Sequence, residues 1–190
     1  WAQLDAASDA FAARLQALGV KKGEPVALFM NNCPQYVMAH YGIQKVGAIV
    51  CPCGPLNKEH ELEYQLTDLQ ARVIVAADVL LPVVDKVRAK TALQQVFVVR
   101  YAELLPEGSP SIDVPAELLN MRTAMGPVPA GCEDFLAATR TGARPAPVAL
   151  SMDDISLMTY TSGTTGLPKG AMLSYGNATF KTAASADCNG

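Results

Sequence analysis

Along the first hundred residues the apolar positions switch between two spacings. Leu4, Phe11, Leu15 and Leu18 recur at helical intervals and Gly19 follows as a stop, which predicts a helix at the start of the chain. Residues 26–30 are a short unbroken apolar run, the signature of a strand buried on both faces. Asn31, Asn32 and Pro34 then open a second helix, expected to carry its apolar face on Val37, Met38 and Tyr41 and to end near Gly47. Residues 48–51 read as the next strand. Asn57 is expected to cap a third helix, with Glu59 and Glu61 in the first turn, where the helix dipole favours negative charge. Leu62, Leu66 and Leu69 form its buried stripe. Residues 73–77 read as a strand, 79–87 as a helix and 95–99 as a strand.

Helical segments thus alternate with short apolar strands. That alternation predicts an α/β fold, in which crossover helices cover both faces of a mostly parallel sheet. Over residues 106–147 the pattern fails. Pro106, Pro110, Pro115, Pro127, Pro129, Pro145 and Pro147 crowd this stretch with Gly108, Gly126, Gly131 and Gly142, so it reads as a long connection with at most a brief helix over 132–139. Regularity returns with a strand over 155–160. The organisation expected is an α/β subdomain over 1–105, a Pro-rich connection over 106–152, and a strand, a Gly-rich loop and the start of a further subdomain over 153–190. No internal repeat is visible.

Composition narrows the function. Of 190 residues, 50% are apolar and 17% charged, which excludes disorder for most of the chain. A chain of this size buries about 70% of the surface its unfolded form exposes. The net charge is −3 and Lys and Arg form no run, which argues against nucleic-acid binding and a polybasic membrane tether. Cys33, Cys51, Cys53, Cys132 and Cys188 form no Cys-x-x-Cys pair, and with only His40 and His60 available no structural zinc site is expected. Such an odd, scattered set fits reduced thiols better than a disulfide framework. No apolar run is long enough to span a bilayer, and no basic region precedes an apolar stretch as in a signal peptide. The sequence opens at Trp1 already inside a helical pattern. It is expected to be part of a longer cytoplasmic protein, with a peripheral seat on the inner membrane as the variant of that expectation.

The chemistry concentrates after the strand over 155–160, in Thr161-Ser162-Gly163-Thr164-Thr165-Gly166-Leu167-Pro168-Lys169-Gly170. Gly163, Gly166 and Gly170 permit backbone conformations closed to other residues, so that successive N–H groups can converge on one point. Thr161, Ser162, Thr164 and Thr165 add hydroxyl donors, and Lys169 adds a mobile positive charge. Converging donors with a cation suit a polyphosphate, whose oxygens accept many charge-assisted hydrogen bonds. The order is neither that of a Walker loop nor the Gly-x-Gly-x-x-Gly of dinucleotide binders. Ala171, Met172 and Leu173 continue as a second strand, so the loop is expected to join two strands of a hairpin. A generic Gly/Ser/Thr stretch would be a surface turn; the density of donors between two apolar strands favours phosphate binding.

This segment, from Leu157-Met158-Thr159-Tyr160 through Gly170 to Ala171-Met172-Leu173-Ser174, resembles the phosphate-loop signature of the adenylate-forming (AMP-binding) superfamily of acyl-CoA synthetases, luciferases and peptide-synthetase adenylation domains. Leu18-Gly19-Val20, Val26-Ala27-Leu28, Gly42 to Ala48, Pro55-Leu56-Asn57 and Glu61-Leu62-Glu63-Tyr64 are similar to the amino-terminal half of such enzymes, bacterial long-chain fatty-acyl-CoA ligases in particular. The resemblance implies the amino-terminal portion of an acyl-CoA-synthetase-like large domain. It also implies a two-step reaction: a carboxylate attacks the α-phosphorus of MgATP to give an acyl-adenylate and pyrophosphate, and coenzyme A then displaces AMP. Carried over by position, Thr161, Ser162, Gly163, Thr164, Thr165 and Gly166 would hold the β- and γ-phosphates, Thr161 would also touch Mg2+, and Lys169 would neutralise the departing pyrophosphate. Tyr175 stands where many relatives carry a histidine on the acyl side; simple packing is its equal alternative.

The family's adenine-binding segment with its magnesium-binding acid, its ribose-binding aspartate, its hinge and its catalytic lysine lie further downstream than Gly190. The chain alone is therefore expected to be inactive. An aryl-acid ligase or an amino-acid adenylation domain is the first alternative; a non-catalytic nucleotide-binding or scaffold domain is the alternative of another class. Asp153 and Asp154 read as a solvated loop, His40 as a packed side chain, and Cys51 and Cys53 as buried thiols.

Overall fold

A computed structural model describes residues 1–105, 113–161 and 167–189. Its centre is a seven-stranded sheet of β1 (Pro25–Phe29), β2 (Ile49–Cys53), β3 (Val73–Ala77), β4 (Gln95–Val99), β5 (Glu133–Asp134), β6 (Ile155–Tyr160) and β7 (Gly170–Ser174), in the order β5-β4-β3-β1-β2-β6-β7. Every neighbouring pair is parallel except β6–β7. The α/β reading of the sequence therefore holds, and the antiparallel pair is the hairpin that carries the Gly-rich loop.

The unbroken apolar runs have a simple cause: alternate residues of one strand serve two cores. Val26 and Leu28 of β1, Val73 and Val75 of β3, and Phe97 and Val99 of β4 face one cluster; Ala27 and Phe29, Ile74 and Ala76, and Val96 and Val98 face the other. The first cluster is closed by α1 (Ala2–Ala17), α2 (Pro34–Lys45) and α6 (Phe135–Thr139), through Phe11, Leu15, Ala39, Ile43 and Phe135. The second is closed by α3 (Glu59–Leu69) and α4 (Leu81–Arg88), through Leu62, Leu66, Leu69, Val84 and Val87. A sheet covered on both faces leaves its strands no polar side.

Three expectations need correction. In α2 the buried face is Gln35, Ala39, Gly42 and Ile43, whereas Val37 and Tyr41 are 40% and 44% exposed. Gly42 lets α1 approach closely, and Gln35 Nε2 donates to Arg100 O and Glu103 Oε1, both at 3.1 Å, while its Oε1 is buried with no hydrogen-bond partner among the described residues. Neither a glycine nor a paired glutamine registers as apolar spacing. In α3 the N-cap is Lys58, whose backbone N–H donates to Glu61 Oε2 at 3.0 Å, while Asn57 turns its side chain to Gln65. The Pro-rich stretch holds a helix of its own, α5 (Ala116–Thr123), none of whose residues is buried. Residues 133–139 form β5 and then α6, capped by Asp134 Oδ1 accepting from the Ala137 N–H at 2.8 Å. The last helix, α7 (Tyr175–Asn189), follows β7 directly.

Candidate functional site

The Gly-rich loop leaves the sheet at the carboxyl-terminal end of β6, beside the carboxyl-terminal end of β2. Loops at that edge of a parallel sheet are where α/β proteins bind ligands. A crevice of about 450 Å³ opens at the same edge, lined by Asn31, Cys33, Tyr101, Leu104 and Met121, which follow β1 and β4.

The loop closes on a defined neck. Tyr160 lies opposite Gly170 in the antiparallel register, and the Thr161 N–H donates to Lys169 O at 3.0 Å. Thr161 Oγ1 also lies 3.5 Å from Lys169 O. The two residues assigned to opposite ends of the motif are thus brought together at its base, Thr161 and Lys169 both exposed. Gly170 is ordinary strand backbone at the start of β7, so the conformational freedom expected of it is not used; a Cβ there would lie 3.0 Å from Met158 Sδ, a flexible neighbour across the hairpin that can shift. Ser162, Gly163, Thr164, Thr165 and Gly166 lie outside the described residues.

Two side chains of α3 reach the neck, a feature that spacing of apolar residues did not single out. Tyr64 Oη donates to Pro168 O at 2.9 Å, one residue before Lys169. Tyr160 Oη, one residue before Thr161, donates to Asp68 Oδ2 at 2.5 Å, a length typical of a charge-assisted bond. The Tyr64 and Tyr160 rings meet edge to face with centroids 6.4 Å apart. Burial, then the Asp68 carboxylate, pushes the Tyr160 phenol well above the usual tyrosine range. The signal available in the sequence was Tyr64 and Asp68 at i and i+4 on a helix otherwise facing the core with leucines.

Tyr175 opens α7. Its N–H donates to Asp154 O at 3.0 Å and its hydroxyl to Gln44 O at 3.1 Å, so its donor is spent on joining α7 to the end of α2; burial raises its pKa. Asp154 accepts from the Ser151 N–H at 2.6 Å and pairs with Lys22 at 2.6 Å. His40 lies between Tyr36 and Tyr41, and burial lowers its pKa. Cys51 and Cys53 are buried thiols, pushed up to about 12 by desolvation. Among the described residues no group of three or more His, Cys, Asp or Glu side chains could hold a metal ion. Thr161 offers one oxygen where magnesium takes six, so these residues do not make a magnesium site by themselves. No helix among them is long and apolar enough to cross a membrane.

The sequence is 35% identical over 175 residues to a long-chain-fatty-acid–CoA ligase of Bacillus subtilis (strain 168), covering 87% of this chain. The chain spans only 30% of the length of that relative. Among solved structures, a long-chain-fatty-acid–CoA ligase from Archaeoglobus fulgidus superposes with a TM-score of 0.68 at 28% identity, over 90% of this chain and 29% of that one. An anthranilate CoA ligase in complex with anthranoyl-AMP superposes with a TM-score of 0.71, also at 28% identity, over 90% of this chain and 29% of that one. Residues 1–189 match the family described as AMP-binding enzyme, and to that family the chain belongs.

Proposed function

We propose that the chain is the amino-terminal part of a carboxylate–CoA ligase that activates a fatty acid. The fatty-acid carboxylate attacks the α-phosphorus of ATP, forming an acyl-adenylate and releasing pyrophosphate. The thiol of coenzyme A then attacks the acyl carbonyl, forming the thioester and releasing AMP.

In this reading Thr161, Ser162, Gly163, Thr164, Thr165 and Gly166 hold the β- and γ-phosphates, and Lys169 neutralises charge as pyrophosphate departs. Electrostatic stabilisation of charge that develops in the reaction is usually the largest catalytic contribution. What supports it is the neck: Thr161 and Lys169, joined backbone to backbone at 3.0 Å, stand together at the carboxyl-terminal edge of the parallel strands. The fatty acid is proposed from the name of the Bacillus subtilis relative. With its hydroxyl on Gln44, Tyr175 would serve the acyl side through its ring. Magnesium would arrive on ATP, with Thr161 as one oxygen toward it. The chain alone does not complete the reaction in this proposal; the full-length enzyme is cytoplasmic and meets its apolar substrate in water or at the inner membrane surface.

An aryl-acid ligase is the second reading, favoured by the superposition on the anthranilate CoA ligase. Carboxylate-dependent exchange of pyrophosphate into ATP, measured on the full-length enzyme with fatty, aryl and amino acids, separates them. Exchange with fatty acids is expected. Exchange with aryl or amino acids alone would move the substrate, and binding of ATP without exchange would leave a non-catalytic nucleotide-binding domain.

A further inference from the structure

We infer that Tyr64 and Asp68 of α3 are positioning residues that fix the two stems of the phosphate loop, and with them Thr161 and Lys169, for ATP. The inference rests on the phosphate-binding reading of that loop.

The two residues are one helical turn apart and each holds a different stem. Asp68 accepts from Tyr160 Oη at 2.5 Å at the end of β6; Tyr64 donates to Pro168 O at 2.9 Å, two residues before β7 begins. Each contact is adjacent in sequence to a neck residue, Tyr160 to Thr161 and Pro168 to Lys169. The helix is a rigid base, because Leu62, Leu66 and Leu69 anchor its other side in the core. β6 is in register with β2 at a single pair, Val50 with Leu157, and another tie of the hairpin, Tyr175 Oη on Gln44 O, lies at the end away from the neck, next to the Ile155–Ser174 pair. A hairpin on so narrow a hinge can tilt, and a misplacement of about 1 Å at a catalytic group costs on the order of a hundredfold in rate. Tyr160 is the centre of the device: its hydroxyl donates to Asp68 and its ring meets Tyr64. Surface attachment of a hairpin would need only one of these bonds, and at either end; here both stems are gripped at the same level from one helix face.

The test is steady-state ATP–pyrophosphate exchange in the full-length enzyme carrying Tyr160→Phe, Asp68→Ala, Asp68→Asn or Tyr64→Phe, with Lys169→Ala as control. Tyr160→Phe and Asp68→Ala are each expected to lower kcat/KM for ATP about tenfold, the loss of one charge-assisted bond, with KM for the fatty acid within twofold. Their combination should be no worse than either alone, since they remove the same bond. Asp68→Asn keeps an acceptor for Tyr160 and should recover most of the loss; Tyr64→Phe should lose about threefold. Unchanged kcat/KM for ATP in the first two variants, with Lys169→Ala strongly impaired, would overturn the inference and leave the loop reading intact. A loss shared equally by ATP and fatty acid and tracking a fall in Tm would overturn it in favour of plain structural support. A Lys169→Ala enzyme with normal exchange would overturn the loop reading, and this inference with it.

Discussion

Gly42 of α2 lies so close to Phe11 of α1 that a Cβ placed on it would stand 2.8 Å from Phe11 Cδ1 and 3.0 Å from the Ser8 carbonyl oxygen. Phe11 cannot swing away, because its ring is wedged edge-on between Phe97, at 5.2 Å, and Phe135, at 4.8 Å. Alanine is the better helix former by about 1 kcal/mol, and overpacking a tight core costs about 1–3 kcal/mol. Packing wins here, since one of the obstacles is backbone. Gly42→Ala should destabilise the protein by about 1 kcal/mol and Gly42→Val by more, read as the midpoint of urea denaturation. An unchanged or raised midpoint for Gly42→Ala would show that α1 and α2 are not in this contact.

Asp134 joins two parts of the fold. Its Oδ1 caps α6 and its Oδ2 pairs with Arg100, which also holds Glu103 through Nε at 3.3 Å. Losing a cap costs about 1 kcal/mol, and losing an ion pair whose side chains are 20% and 26% exposed costs about 1 kcal/mol more. Asp134→Ala should therefore lower Tm by several degrees, and Asp134→Asn, which keeps a capping oxygen, by about half as much. Thermal melts followed by circular dichroism decide it; equal losses would mean the cap contributes nothing.

Cys51 and Cys53 titrate near 12 in the fold against 9.0 for a free thiol, because desolvation opposes the thiolate. For such acids the unfolded chain deprotonates first. The stability they contribute is fully present below pH 9 and is lost as pH rises from about 9 towards 12. In native protein at pH 8 a thiol reagent should modify Cys188, which is exposed, well before Cys51 or Cys53, and reach those two only on unfolding. Mass mapping of the labelled sites checks this; early modification of Cys51 would contradict its place in the sheet core.

Much of the fold was legible because burial on both faces writes strands as nearly unbroken apolar runs: β3 and β4 begin and end where the sequence placed them, and so does β6, although only its Ser156 is fully buried. What stayed hidden depends on contacts distant in sequence. Gln35 occupies a core position where Arg100 O and Glu103, more than sixty residues later, accept from its Nε2. The helix α5 lacks an apolar stripe that could have marked it, since none of its residues is buried. At the candidate site the loop residues were visible as a donor-rich motif. The Tyr64 and Asp68 tethers were not, because their i, i+4 spacing marks a shared helix face but not the strand they meet across it.

The central claim is that Lys169, held at the neck with Thr161, neutralises charge on a departing pyrophosphate. Exchange of pyrophosphate into ATP by the full-length enzyme, with a saturating fatty acid and with Lys169→Ala beside the unaltered protein, tests it most directly. The exchange rate should fall by about 10²–10³ while circular dichroism and Tm remain unchanged, since the side chain is exposed. A Lys169→Ala enzyme exchanging within a few-fold of the unaltered rate would contradict the account.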